Sequence, residues 1–90
     1  MKTFPLSIAS PDGIVFSGDV YQLSVRGIAG ELAILAGHIP FVTALADGEC
    51  RIYCGEDDNS IKRAHVTSGM LIVSKEKTRL LTSDFEWKNE

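Results

Sequence analysis

The side chains best suited to catalysis in this sequence are two histidines, His38 and His65. An imidazole becomes a catalytic base when a carboxylate orients it and a nucleophile lies within hydrogen-bond reach. No serine in the sequence has the glycine-flanked setting of an activated nucleophile. His65 stands between Ala64 and Val66 in an alternating pattern typical of a strand, which favours a structural role. A small hydrolase that uses either histidine is therefore the weaker hypothesis.

Cys50 and Cys54 are the two thiols that could form a disulfide or bind a metal. Their spacing on a predicted strand separates their Cα atoms by roughly 13 Å, whereas a disulfide requires less than about 7 Å. Neither a Cys-x-x-Cys motif nor a nearby histidine completes a zinc site. We therefore predict two free thiols on one face of a strand.

The acidic and glycine-rich segments give no site for a metal or a phosphate group. Glu56, Asp57 and Asp58 lie in a predicted hairpin tip at 55–60, and they lack the alternating oxygen ligands of a calcium loop. The glycines between residues 27 and 37 do not have the spacing of a phosphate-binding loop. We expect no catalytic residue, no cofactor and no metal site in this chain.

Charge and composition describe an ordinary globular domain. The 90 residues have a net charge of −3, with 44% hydrophobic and 23% charged residues. The lysines and arginines are scattered, which argues against nucleic acid as a partner. The longest uncharged stretch, 32–46, is too short for a transmembrane helix, and no apolar run follows Lys2 as in a signal peptide. We expect one soluble domain over residues 1–90 that stays in the compartment where it is made.

The elements that would position these residues are short strands. Tyr21, Leu23 and Val25 alternate with polar residues, as in a strand with one face in the core and the other in water. Similar runs recur between turn signals, and no segment has a convincing helical repeat. The predicted turns include 11–13, 17–19, 47–48, 68–69 and 74–77. The pattern predicts about nine short strands in two packed sheets.

Residues 26–45 are unusual because glycines interrupt a largely apolar stretch. Gly27, Gly30 and Gly37 permit backbone angles or close approaches that other residues resist. An apolar loop on a small domain is often covered by a partner. The same stretch could instead cross the end of the sandwich and close its core. The residues alone leave both interpretations open.

The segment 30–45, GELAILAGHIPFVTAL, resembles the signature segment of the epsilon subunit of F-type rotary ATP synthases, called delta in mitochondria. Four further segments resemble the same family in one register, so that the resemblance covers nearly the whole chain. These segments are 8–20, 48–52, 67–73 and 80–83. The sequence departs from the usual family residues at Ala33, Ala36, Ile39, Ser68 and Ile72.

The resemblance implies an all-β chain of about ten short strands in a two-sheet β-sandwich. It also implies a non-catalytic subunit of the central stalk, which joins the gamma shaft to the membrane c ring and helps to couple ion transport to ATP synthesis. Such a subunit is peripheral, at the cytoplasmic face of the bacterial inner membrane, and meets the membrane only through the complex. Typical family members continue into a C-terminal helical hairpin, whereas this sequence ends at Glu90. We therefore expect no C-terminal helical domain and no ATP binding.

The resemblance further implies roles for seven residues. Those expected to face the c ring are Arg26, Ile28, Ala29 and Glu31. Those expected to face gamma are Ser10, His38 and Thr43. The alternative for Glu31 is a carboxylate that is simply solvated in its loop. Even a contact at the rim of an interface would contribute only about 0–1 kcal/mol. The alternative for His38 is a turn residue bonded to nearby backbone.

One other function stays open beside the stalk subunit and the hydrolase. It is a free-standing β-sandwich module that binds a protein or a ligand, for which an exposed aromatic platform would be needed. The seven aromatic residues mostly occupy apparent core positions, which weakens this alternative. We also expect that an isolated copy can form a homodimer in a crystal through the surface meant for gamma.

Overall fold

The computed structural model describes residues 2–55 and 60–88. Within them the chain forms eight β-strands and no α-helix. The strands are β1 (Phe4–Ser10), β2 (Gly13–Val20), β3 (Gln22–Gly27), β4 (Gly30–Leu35), β5 (Phe41–Leu45), β6 (Gly48–Tyr53), β7 (Ile61–Val73) and β8 (Thr78–Trp87). No helix in this part of the chain has the length and apolar character needed to cross a membrane. The prediction of an all-β fold is confirmed.

Alternating side chains explain why these segments form strands with one face in the core. In β1, Phe4, Leu6 and Ile8 are buried, whereas Pro5 is exposed and Ser7 is half-buried. Successive side chains of a strand point to opposite faces, so every second residue enters the core. A similar alternation occurs in β6 and in the first half of β8, and buried residues from all eight strands form one continuous cluster.

The strands form a single hydrogen-bonded path that folds back on itself. The order is β2-β1-β8-β7-β5-β3-β4, and β6 pairs with both β3 and β7. Although β2 and β4 lie at opposite ends of this path, Val20 of β2 and Ile34 of β4 belong to one buried cluster. The first half of β7 pairs with β6 and its second half with β5, so β7 belongs to both layers. Two packed layers result, as predicted.

The two layers share β7 and β8, which pass from one to the other. The first layer contains β3, β4 and β6 with the first half of β7 and the end of β8. The second layer contains β1, β2 and β5 with the second half of β7 and the start of β8. The neighbouring strands are antiparallel except for β1 and β8, which are parallel.

Two predicted turns are wrong, and one of them changes the strand number. The turn predicted at 68–69 separated two strands that form the single strand β7, so the nine strands predicted by the local pattern become eight in the described residues. Residues 17–19 lie inside β2, and residues 68–69 lie inside β7. In β2 the backbone of Ser17 and Gly18 pairs with β1 in spite of their turn propensity, because tertiary pairing overrides local preference. In β7 the glycine is needed for a close backbone approach to β8.

The predicted hairpin tip at 55–60 falls largely outside the described residues, as do Glu56, Asp57 and Asp58. Its base is described, because the N–H of Cys54 donates a hydrogen bond to the carbonyl of Ser60 at 3.0 Å. Cys50 is buried in β6, and Cys54 lies half-buried just after that strand. Both are free thiols.

Phe85 and Trp87 lie in β8 and belong to a cluster of aromatic side chains. The ring centroids of Phe85 and Trp87 are 4.8 Å apart in an edge-to-face arrangement. Phe16 of β2 reaches the same Trp87 ring at 6.4 Å, and the Lys62 ammonium lies 5.9 Å from its centroid. This cluster joins β2 of the second layer to the end of β8 in the first.

Candidate partner-binding surfaces

The tip of the β3–β4 hairpin brings together the four residues that the family resemblance assigns to the c ring. Arg26 and Glu31 are direct cross-strand partners, and Ile28 and Ala29 form the turn between the strands. Gly30 has a φ of 127°, a backbone conformation that L side chains rarely adopt, so glycine is required at the turn. Ile28 is 71% exposed at the end of the hairpin.

The charges at this tip are available to a partner. Arg26 and Glu31 lie opposite each other in the strand register. Their side chains form no ion pair with each other or with any other described residue. The aliphatic stem of Arg26 packs over Gly48, since a Cβ built at Gly48 would lie 3.0 Å from the Arg26 Cβ. The tip therefore presents a cation and a carboxylate on either side of an exposed isoleucine.

The three residues assigned to gamma do not form one cluster. Ser10 ends β1, and its Oγ accepts a hydrogen bond from the N–H of Asp12 at 3.3 Å. His38 lies in the loop between β4 and β5, near the opposite end of the strands. Thr43 is half-buried in β5, on the same face as the buried Leu45. Its hydroxyl donates to the carbonyl of Ala44 at 3.4 Å.

The His38 ring is held by local contacts. Its Nδ1 lies 2.8 Å from the carbonyl of Ile39, and its centroid lies 5.0 Å from that of Phe41. The His38 N–H donates to the carbonyl of Leu35 at 3.1 Å. His65 is exposed on β7, between the strand partners Glu49 and Glu86. In the described part of the chain neither imidazole hydrogen-bonds a carboxylate or hydroxyl group, so these contacts give no support to the hydrolase hypothesis.

An exposed row of apolar side chains crosses the second layer, and the sequence reasoning did not identify it. Direct strand partners in β2, β1, β8, β7 and β5 place its members side by side. We call it the apolar row; its residues are Ile14, Ala9, Leu81, Met70 and Ala44. Strands about 4.8 Å apart make such a row roughly 19 Å long. Ile14 is 67% exposed, and Leu81 and Met70 are each 44% exposed.

The apolar row lies on the outer face because its chain neighbours point inward. Ile8, Leu80 and Leu71 are fully buried, and alternate residues of a strand face opposite sides. The pair Val42–Ile72 extends the apolar surface beside the row. The hairpin tip adjoins it, since the N–H of Ile28 donates to the carbonyl of Ala44 at 3.2 Å.

A signal for this surface was present in the sequence. Residues 70–73 and 80–81 are uninterrupted apolar runs, which require apolar side chains on both faces of a strand. In a two-layer sandwich only one face enters the core. Such runs therefore predict an apolar outer face, although they do not say which strands lie side by side.

The outer face of the first layer is charged instead. Glu49 lies at its centre, with Lys88 Nζ at 3.0 Å, Arg51 at 3.8 Å and Arg63 at 3.9 Å from its carboxylate oxygens. The hydrogen bond from Lys88 is the main cause that holds the pKa of Glu49 below its usual value, and the charges of Lys88, Arg63 and Arg51 add to it. The two outer faces of the sandwich therefore differ in chemistry.

Together, these features define a class of protein: a small β-sandwich with an apolar outer row beside a charged hairpin tip, suited to contact with other proteins. No group of three or more potential metal ligands lies together among the residues that the structure describes. A family model described as "ATP synthase, Delta/Epsilon chain, beta-sandwich domain" matches residues 3–88. The chain belongs to this family.

Relatives support the same assignment. The sodium ion specific ATP synthase epsilon chain of Acetobacterium woodii is 37% identical over 89 residues, which are 99% of this chain and 65% of that relative. The ATP synthase epsilon chain of Bacillus thuringiensis is 38% identical with the same coverage. The chain thus spans about two-thirds of the length of the curated relatives it matches, 65%.

Solved structures share the fold. A chain of the Euglena gracilis mitochondrial ATP synthase, from a structure of OSCP, F1 and c ring, superposes with a TM-score of 0.83 at 19% identity. That alignment covers 94% of this chain and 53% of the other. A chain from the central stalk and c ring of the Tetrahymena thermophila mitochondrial ATP synthase gives a TM-score of 0.78 at 16% identity, covering 93% and 66%.

Proposed function

We propose that this chain acts as a non-catalytic part of the central stalk of an F-type ATP synthase. It joins the gamma shaft to the membrane c ring and so helps to couple ion transport to ATP synthesis. The observation that best supports this role is the apolar row with the hairpin tip beside it. Family membership supplies the identity of the complex.

The apolar row is proposed as the contact with gamma. A contiguous apolar strip on a small soluble domain is usually covered by another protein. The row and the pair Val42–Ile72 give such a strip on a flat sheet face. A sheet with a close-packed core deforms little, so torque applied at this face is passed to the rest of the domain.

The hairpin tip is proposed as the contact with the c ring. Its exposed Ile28 can be buried at the centre of a small interface, while Arg26 and Glu31 form the polar rim. The rim charges select partner groups of opposite sign and add little affinity. Ala29 lies at the turn, where its small side chain lets the c ring approach the backbone closely.

Ser10 and His38 are proposed to border the gamma contact at its two ends. Thr43 is half-buried, so its own side chain is not the main contact. We propose that its strand meets gamma through the outward-facing neighbours Val42 and Ala44. We propose a peripheral location at the cytoplasmic face of the bacterial inner membrane, with contact to the membrane only through the complex. We further propose that an isolated copy pairs with a second copy through the apolar row in a crystal.

Co-purification with gamma tests the proposal. A tagged copy of this chain is expressed with its cognate gamma subunit and analysed by size exclusion at micromolar concentration. We expect a stable one-to-one complex, and we expect Met70→Lys to abolish it because a charge would be buried in the interface. The matched control is His65→Lys, an exposed position of the same strand on the other layer.

Separate elution of folded gamma and folded wild-type chain would overturn the stalk role. A free-standing binding module would then become the leading function. If Met70→Lys and His65→Lys both retain the complex, the apolar row is not the gamma contact.

A further inference from the structure

An open cleft of about 400 Å³ lies between the two layers, at the end of the sandwich away from Ser10. The loop 36–40 between β4 and β5 forms one side, and the turn 74–77 between β7 and β8 forms the other. Its floor consists of core residues from both layers, Phe4, Ile34 and Val73. No residue of the hairpin tip or of the apolar row lines this cleft, whereas His38, proposed above to border the gamma contact, does.

The rim of the cleft is unusually apolar for a loop region. Leu35 is 52% exposed and Ile39 is 78% exposed, and both line the cleft. Gly37 has a φ of 84°, which favours glycine and shapes the loop between them. The His38 contacts with Ile39 and Phe41 hold the loop in place. The cleft is thus preformed and offers room for a large aliphatic side chain.

The opposite side of the cleft carries cations. Lys75, Glu76 and Lys77 line it, and no described residue forms an ion pair with any of the three. Hydrogen bonds close their turn, since the Ser74 hydroxyl donates to the Lys77 carbonyl at 2.6 Å. The Lys77 N–H also donates to Ser74 Oγ at 3.2 Å. Charge complementarity therefore favours an occupant that carries carboxylates beside its apolar group.

The cleft is continuous with the outer face that bears the apolar row. Along β5 the outward positions run from Ala44 through Val42 towards Pro40, and Pro40 lines the cleft. Along β7 they run from Met70 through Ile72 towards Ser74, which also lines it. Four residues of strand span about 13 Å. One protein lying on the apolar row can therefore reach the cleft.

We propose that the cleft is a second contact for the same gamma subunit, taking an aliphatic side chain from a gamma segment with neighbouring acidic residues. This inference rests on the proposed function of the apolar row. The aliphatic side chain fills the space above Phe4, Ile34 and Val73, and the acidic residues pair with Lys75 and Lys77. Deep apolar pockets contribute most of the affinity of an interface, whereas rim charges set the association rate and the choice of partner.

Affinity for the cognate gamma subunit tests the cleft, with full-length variants that remove its two features separately. Leu35→Ser removes an apolar wall, and Lys75→Glu reverses a rim charge. Lys62→Glu is the matched control, since it makes the same change of charge on an exposed residue of the first layer. Thermal melts of each variant confirm that the fold is retained. Binding is measured at 50 and 300 mM NaCl.

We expect Leu35→Ser to weaken binding about tenfold at both salt concentrations, because its contribution is apolar. We expect Lys75→Glu to weaken binding about tenfold at 50 mM NaCl and much less at 300 mM, because salt screens rim charges. The affinity of Lys62→Glu for gamma should stay within about twofold of the wild-type affinity at both concentrations, because salt screens a charge far from the contact.

The outcomes separate the cleft from the proposed function. If Met70→Lys abolishes binding while Leu35→Ser and Lys75→Glu match the Lys62→Glu control, gamma binds the apolar row and does not use the cleft. If the wild-type chain does not bind gamma, both the proposed function and the cleft contact are overturned. Weakening by Lys75→Glu and Lys62→Glu alike would show a general charge effect and would also overturn the cleft contact.

Discussion

Gly69 of β7 lies against Thr82 of β8 at the point where both strands pass from one layer to the other. A Cβ built at Gly69 would lie 2.9 Å from the Thr82 Cα and would collide with the carbonyl oxygen of Leu81. The buried Thr82 hydroxyl lies 2.5 Å from the carbonyl of Thr67 and 3.1 Å from that of Ser68. A close backbone approach and a buried hydroxyl together hold this bend.

Replacing Gly69 should destabilise the whole sandwich. We expect Gly69→Ala to lower the free energy of unfolding by about 2–4 kcal/mol, because the backbone of β8 must move to admit a methyl group. Urea denaturation measures the change. Gly18→Ala is the control, since a Cβ there would meet only Phe16 ring atoms at ordinary distances of 3.8 Å or more. Equal stability of the two variants would contradict this account of the bend.

Reversing the charge of Glu31 should weaken the contact with the c ring without changing the fold. We expect Glu31→Lys to reduce the affinity of this chain for the c ring by up to about fivefold, which is the range of an exposed rim contact. The weaker contact should lower the rate of ion-driven ATP synthesis. Ion-driven ATP synthesis in a reconstituted complex is the readout, with a thermal melt to confirm folding. Asp19→Lys, an exposed position on β2, is the matched control. If Glu31→Lys does not change the rate of ATP synthesis, the Glu31 carboxylate makes no contact with the c ring and is only solvated.

The charge cluster around Glu49 should make stability depend on pH at the acid end. Because Lys88, Arg63 and Arg51 hold the pKa of Glu49 in the folded state below its unfolded value near 4.5, the carboxylate stabilises the fold above that pH. This stabilisation is lost as the pH falls through the lower folded pKa. The carboxylate side chain is 33% exposed, so we expect a contribution of at most about 1 kcal/mol.

Glu49→Gln tests this contribution by comparing unfolding free energies at pH 7 and pH 3. The variant should be less stable than the wild type at pH 7, and the difference in unfolding free energy should be smaller at pH 3. Glu86→Gln serves as the control on the same face. A difference between Glu49→Gln and wild type that is equal at both pH values would argue against an electrostatic cause.

The two thiols should differ in reactivity. Burial raises the pKa of Cys50 to about 12, and the nearby Glu49 charge adds to this effect; burial also raises the pKa of Cys54, which is only half-buried. Thiolates are the reactive form, so at pH 8 Ellman's reagent should modify Cys54 slowly and leave Cys50 intact. Both should react in urea. Prompt modification of Cys50 in the folded chain would contradict the buried position.

The raised pKa of Cys50 has a consequence at high pH as well. The folded state keeps the thiol protonated, whereas the unfolded chain releases the proton near pH 9. Stability from this group is therefore present below about pH 9 and declines as the pH rises further. Cys50→Ala should flatten this alkaline decline in urea denaturation experiments, although the smaller side chain lowers stability at neutral pH.

Local patterns predicted much of the fold. The alternation of apolar and polar residues identified β1 and β3, since each strand needs one face for the core. The hairpin tip could also be predicted, because a two-residue turn necessarily brings Arg26 close to Glu31. The family resemblance then suggested what such a tip contacts, and its partner roles remain predictions.

Other features needed the tertiary structure. The turn signals at 17–19 and 68–69 were misleading, because strand pairing overrode them at Ser17 and backbone crowding required a glycine at position 69. The apolar row depends on the parallel pairing of Ala9 with Leu81, which come from opposite ends of the chain. Local polarity decides whether a segment becomes a strand, but packing of the entire core sets the register between distant strands, and that register decides which outward side chains form a common surface.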